Sequence, residues 1–263
     1  MKITRGRITK FQARIFSWWE LNKRDLPWRH THDPYKILVS EVMLQQTQVS
    51  RVLPKYEEFL YFFPDVYTLA KSSIAKILKV WKGMGYNRRA LYLKKTAEKV
   101  VTQFGGEFPD DETKLTQLPG LGVYTARAIL VFAYSHDIAA VDTNIRQIIT
   151  HFFFRDKPQK EKTIQEVADE LVPVGESWEW HQALMDYGAL EMPKLKVKKI
   201  KKSGGIPFKE TNRYFRGRLM DILREKSMKE SVIQKSFSTS VIEGLIKDGL
   251  VERKNGVLRL PTV

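Results

Sequence analysis

From residue 8 to residue 190, apolar side chains return at every third or fourth position, and no stretch alternates. Phe11, Ile15, Trp18, Trp19 and Leu21 form one such stripe; Ile74, Ile77, Leu78 and Trp81 form another. This spacing buries one face of a helix, whereas a half-buried strand repeats every second residue. Breaks at Asp33-Pro34, Phe63-Pro64-Asp65, Gly83-Met84-Gly85 and Gly105-Gly106 cut the run into separate helices. The expectation is an all-α body without internal repeats.

The pattern changes at Pro193. Residues 194 to 202 read KLKVKKIKK, with six lysines, and Ser203-Gly204-Gly205 follow. This reads as a basic linker. Beyond it, residues 213 to 225 and 236 to 248 have helical spacing, and 250 to 260 alternate around Asn255-Gly256, a strong two-residue hairpin signal. The expected organisation is a helical domain over 1–192, a linker over 193–207 and a small winged-helix-like (α+β) module over 208–263. The module serves either DNA contact or packing.

Charge narrows the class of partner. The 263 residues carry 45 Lys and Arg against 30 Asp and Glu, a net charge of +15. Such an excess suits a polyanion. No apolar run is long enough to cross a bilayer and no amphipathic anchor stands out, so nucleic acid is favoured over a membrane and a cytoplasmic location is expected. There is no cysteine, which removes disulfides, thiolate metal sites and a Cys nucleophile. Among the five histidines only His30 and His32 lie close together, so no metal site is expected.

Leu118-Pro119-Gly120-Leu121-Gly122-Val123-Tyr124-Thr125-Ala126 precedes an apolar helix, Ala126 to Tyr134. Two glycines allow a tight turn and a close approach to another molecule. The N–H groups that open the next helix suit a phosphate oxygen, a contact that needs no base. An ordinary helix–helix connection is the plainer alternative.

Two carboxylates stand in contrasting contexts. Glu41 lies within Ile37-Leu38-Val39-Ser40-Glu41-Val42-Met43-Leu44. At the solvent edge it is unremarked; buried, it would hold a proton near neutral pH, as a general acid must. Asp142 follows the apolar Ile138 to Val141 and precedes a helical stretch, Asn144 to Phe154, which is an N-cap position. Helix N–H donors there favour an ionised carboxylate, suited to a cationic sugar, though it could simply be a cap. Acids pushed apart in pKa are a pattern for glycosidic bond cleavage. The two lie 101 positions apart, so the sequence does not bring them together.

Taken in order, Pro27-Trp28-Arg29, Ser40 through Val49 (SEVMLQQTQV), Trp81 through Tyr86 (WKGMGY), Leu118 through Ala126, Val141-Asp142-Thr143-Asn144 and Gln182 through Ala189 (QALMDYGA) resemble the helix-hairpin-helix DNA glycosylase superfamily. The resemblance covers roughly residues 15 to 190, and the MLQQTQV string points to the MutY-type adenine glycosylase branch. It implies a two-lobed helix-hairpin-helix glycosylase fold with the DNA site between lobes. Glu41 then matches the acid that protonates the departing purine, Asp142 the carboxylate facing the sugar cation, and Asn144 its polar partner. Trp28, Arg29, Leu44 and Asp186 match base-pocket positions. Gln45, Gln46 and Tyr86 match residues at the opened duplex, with Pro119, Gly120, Gly122, Val123 and Thr125 on the phosphate. Tyr124 stands where strand-nicking relatives carry a Schiff-base lysine, so the implied enzyme is monofunctional. Packing after the hairpin is the alternative for this tyrosine.

The chain departs from that family twice. Most members ligate an iron–sulfur cluster through cysteines just beyond the segment matching Ala183 to Ala189; here Leu190 to Pro193 and the lysine run follow. A clusterless member is implied, with Lys194 to Lys202, Lys198 and Lys199 among them, standing in on the DNA. No cofactor is expected, although the resemblance allows a monovalent cation on carbonyls of Leu118 to Gly122. About 60 residues follow the linker, too few for the Nudix-like domain of longer MutY-type enzymes. The expectation is a monomer that excises a mispaired base, adenine opposite 8-oxoguanine or guanine, from double-stranded DNA. Thymine or uracil opposite guanine, and a silent lesion-binding protein, are the alternatives.

Overall fold

The computed structural model describes residues 3–195 and 207–262. In chain order the helices are α1 (Arg5–Asn22), α2 (Pro34–Leu44), α3 (Val49–Phe62), α4 (Val66–Lys71), α5 (Ile74–Val80) and α6 (Arg88–Phe104). Then come α7 (Glu112–Thr116), α8 (Val123–Tyr134), α9 (Thr143–Phe154), α10 (Glu161–Leu171) and α11 (Ser177–Leu190). The C-terminal segment adds α12 (Asn212–Glu225), β1 (Met228–Lys229), α13 (Glu230–Ile233), α14 (Thr239–Lys247), β2 (Glu252–Lys254) and β3 (Val257–Arg259). No strand precedes β1 among the described residues, as the periodicity requires. None of the helices is long and apolar enough to cross a membrane.

Two compact units share these elements. The first comprises Met1–Leu38, Pro109–Gln117 and Leu121–Ile200; the second comprises Val39–Phe108, Leu118–Gly120 and Lys201–Val263. The division falls inside α2, so neither unit is a continuous stretch of sequence.

In the first unit, α1, α9, α10 and α11 close on a core of Phe11, Ile15, Ile148, Leu171 and Trp180. Phe11 meets Phe153 edge-on at 5.1 Å and Trp180 at 5.8 Å. Full burial of such side chains is worth about 1.5–3 kcal/mol each. Leu21, placed by the periodicity on the buried stripe, is instead 87% exposed, because the last turn of α1, still hydrogen-bonded from the Lys23 N–H to Trp19 O, runs past the packed core.

In the second unit, α6 packs on α4 and α5, and α3 on α5, around Phe59, Phe63, Leu78 and Trp81. Two of the breaks seen in sequence, at Asp65 and Gly105, are caps, and Ser73 adds a third. Asp65 Oδ1 accepts from the Thr68 N–H at 2.7 Å, Ser73 Oγ from the Lys76 N–H at 3.2 Å, and Gly105 ends α6 with φ +64°. The C-terminal segment belongs to this unit. Its three strands pair antiparallel in the order β1-β3-β2, and Asn255 and Gly256 take φ +49° and +68° at the hairpin tip. β1 is too short to show a pattern in sequence. Arg224, 7% exposed, fastens α12 by donating to Leu78 O and Asn87 Oδ1, both at 2.9 Å. The Ala75 N–H donates to Pro261 O at 2.9 Å.

Candidate functional site

Local rules place Asp142. It is the extended N-cap of α9, and its Oδ1 accepts from the Ile145 N–H at 2.7 Å. Asn144 contributes further hydrogen bonds, one from its backbone and one from its side chain. These donors favour the anion, as the sequence suggests. Burial outweighs them and pushes the Asp142 carboxyl above its usual range. The balance therefore reverses the expected one. Asp142 is half-buried, and a partly desolvated carboxylate gains more from a cation that develops beside it.

The strand of chain leading to Asp142 is pinned from three sides. The Ala139 N–H donates to Asp169 Oδ1 at 3.2 Å. The Ala139 carbonyl accepts from Gln165 Nε2 at 2.9 Å and Arg127 Nη1 at 3.2 Å. The Ala140 N–H donates to His181 Nε2 at 3.0 Å, while His181 Nδ1 lies 2.6 Å from Ser177 O. Accepting at Nε2 and donating at Nδ1 requires a neutral ring. Burial agrees, holding the His181 pKa down to about 4. At Gly188 of α11 a Cβ would fall 2.5 Å from Asn144 Cβ, so only glycine lets α11 pass the head of α9. Sequence reasoning missed His181 and Asp169, since neither has a local motif.

Glu41 belongs to the second unit. It is 7% exposed, between Val39, Val42 and Met43, which are 0–4% exposed. Just beyond α2, Gln45 and Gln46 are exposed, and Gln46 takes φ +53°. Tyr86, 38% exposed, takes φ +44° after Gly83 and Gly85. Left-handed backbone at such residues costs of order 1 kcal/mol and needs outside support.

Arg89, a second residue that sequence reasoning missed, supplies that support. Its Nη1 donates to the carbonyls of Val42 (2.8 Å), Met43 (2.9 Å) and Gln45 (2.7 Å). Its Nη2 donates to Met84 O (3.0 Å), Gly85 O (3.3 Å) and Thr47 Oγ1 (3.2 Å). One buried guanidinium thus ties the loop of Gln46 to the loop of Tyr86. Burial lowers its pKa to about 10, which still leaves it charged at neutral pH.

The hairpin makes a tight turn and leaves the start of α8 without a side-chain cap. Gly120 takes φ +80°, and a Cβ there would meet Tyr92 Cβ and Cγ at 2.6 Å. Gly122 is the N-cap of α8 without a side-chain cap, and the space where its Cβ would lie is open. Ala126 is the first N–H of α8 to bond back, to Gly122 O at 3.0 Å. Val123 is 53% exposed and Tyr124 half-buried. Thr125 turns inward at 4% exposure, so any contact from it is a backbone one.

With this geometry in place, the profile of the HhH-GPD superfamily base excision DNA repair proteins matches residues 39–173. The chain belongs to this superfamily. It is 34% identical over 226 residues to the adenine DNA glycosylase of Buchnera aphidicola subsp. Baizongia pistaciae, covering 84% of this chain and 63% of that one. It is 32% identical over 268 residues to the adenine DNA glycosylase of Mycolicibacterium smegmatis, covering 91% and 92%. The solved structure of a thermostable thymine-DNA glycosylase superposes with a TM-score of 0.67 at 32% identity, covering 70% of this chain and 87% of that one.

The remaining expected positions sit in varied surroundings. Asp186, read as lining a base pocket, is fully buried and already engaged. Its oxygens accept from Arg29 Nη1 and Nη2 (both 2.8 Å), Arg24 Nε (2.6 Å) and Trp19 Nε1 (3.0 Å). Those donors hold its carboxyl below the usual range against the cost of burial. Arg29 and Asp186 thus brace the first unit, and Arg29 also lines a pocket of about 310 Å³ with His32 and Trp178. Trp28 is 9% exposed and Leu44 half-buried at the end of α2. Lys198 and Lys199 lie outside the described residues. At the hairpin, the Pro119 carbonyl accepts from Thr96 Oγ1 at 2.8 Å, which holds the turn against α6. Among the described residues no His, Asp and Glu cluster suits a metal ion.

Proposed function

We propose that this chain is a monofunctional DNA glycosylase that removes adenine mispaired with guanine or 8-oxoguanine. The observation that carries the reading is the half-buried carboxyl of Asp142, fixed as the N-cap of α9, in a chain of the base-excision superfamily. The target nucleotide leaves the stack, because its C1′–N bond is out of reach inside a duplex. Glu41 gives a proton to adenine N7. The C1′–N9 bond breaks, with its electron pair going to the base, and Asp142 faces the positive charge left on the sugar. Water adds at C1′ and loses a proton, leaving an abasic site. Tyr124 offers no amine for a Schiff base, so the strand stays intact.

Single-turnover assays on duplexes with A:8-oxoG, A:G, T:G and U:G pairs test this. Release of adenine from the first two, lost by at least about 100-fold in Asp142→Asn and Glu41→Gln, is the expected result. Full activity in Asp142→Asn would defeat the mechanism, and borohydride trapping of a DNA adduct would defeat the monofunctional assignment. The likeness to a thymine-DNA glycosylase favours a second reading, thymine or uracil opposite guanine, which the same panel decides.

A further inference from the structure

A basic groove of about 840 Å³ lies wholly within the second unit. Gln46, Tyr86 and Arg51 form one wall, and Phe208, Arg213 and Arg218, at and before α12, form the other. Neither Glu41 nor Asp142 lines it. Six arginines line the groove against two aspartates. Both aspartates are already paired, Asp248 with Arg216 at 2.5 Å and Asp221 with Arg224 at 2.7 Å. Phe208 is 59% exposed, and the Arg213 guanidinium lies 4.1 Å from the centre of the Tyr86 ring. Stacked this way, a guanidinium keeps its in-plane N–H donors for the edge of a base.

The hairpin of the same module is charged differently. Arg253 is held by Glu230 and Glu243, and Arg259 by Glu252 at 2.5 Å. Its arginines are neutralised, while Arg213 and Arg218 on α12 face solvent. Toward the groove the module presents Phe208, Arg213 and Arg218. Arg224 and the Lys82–Glu225 ion pair (2.8 Å) hold that wall in place.

We propose that this groove holds the unpaired nucleotide left in the opposite DNA strand when the target is extruded. Its base lies against Phe208 and Arg213, and its neighbouring phosphates meet Arg51 and Arg218. Aromatic faces beside guanidinium groups are the chemistry of unstacked nucleotides. The C-terminal module is then a reader of the partner base through α12, and the hairpin tip plays no part. This rests on the glycosylase reading, since extrusion creates the orphan.

Binding to duplexes with a tetrahydrofuran abasic analogue tests it without catalysis. The analogue is placed opposite guanine, 8-oxoguanine, or a second tetrahydrofuran that removes the partner base. Phe208→Ala/Arg213→Ala, with melting checked against the parent, should lose about 10-fold in affinity when a partner base is present and little when it is absent. Equal losses in both cases, or none, overturn the proposal. If the unaltered protein prefers none of these duplexes over an undamaged one, the glycosylase reading itself has failed.

Discussion

Replacing Arg89 by methionine removes the one side chain that holds two left-handed loops together. Methionine fills similar space and donates no hydrogen bond. Of the carbonyls that lose their donor, those of Val42, Met43 and Met84 belong to residues at most 4% exposed, while Gln45 and Gly85 can rehydrate. Each buried carbonyl left without a donor costs about 1–3 kcal/mol. Removing a charge that burial already disfavours gives some of that back. A net loss of about 3 kcal/mol is therefore expected. At 2–4 °C per kcal/mol for a chain of this size, melting should fall by about 6–12 °C. Gln46 and Tyr86 should relax from positive φ, so affinity for damaged duplexes should fall as well. Arg89→Lys keeps the charge but cannot span the same acceptors, and should lie in between. Thermal melting by circular dichroism and DNA binding at fixed salt measure both effects. A Met variant that melts within about 2 °C of the parent and binds equally well would refute the bracing role.

Two other outcomes concern protonation. His181 is held neutral, with a pKa near 4 against 6.5 in the open chain, so the unfolded state binds the extra proton between those values. Stability is complete above 6.5 and is lost as pH falls toward 4, by about 3 kcal/mol in all. Urea titrations across that range should show the slope, and His181→Gln should flatten it. Asp142 has the opposite sign: its folded pKa is raised, so its contribution falls as pH rises above the open-chain value of 3.8. Asp142→Asn should therefore melt higher than the parent at pH 7, with the gain shrinking toward pH 4, even as excision is lost. A variant that melts lower at pH 7 would show that the carboxylate is not paying a desolvation penalty.

Much of the scaffold is legible in single stretches of sequence. The helices between residues 8 and 190, the caps at Asp65, Ser73 and Asp142, the turn at Gly120 and the Asn255-Gly256 hairpin each depend on residues within a few positions. The family could be read too, because its motifs are contiguous. Arg89 could not, since its acceptors are 4 to 47 positions away and any arginine in an amphipathic helix looks like a surface residue.

Sequence by itself determined which segments are helical, where they stop, and that Asp142 caps one of them, because those outcomes follow from backbone hydrogen bonds between near neighbours. Tertiary structure decided that Asp142 is harder to ionise than a free carboxyl, that Asp186 serves Arg24 and Arg29, that Leu21 faces water, and that the C-terminal module turns α12 toward the groove. Those depend on which remote groups exclude water or bring charge to a given atom. Desolvation is set by everything packed nearby in space, and chain order does not record it.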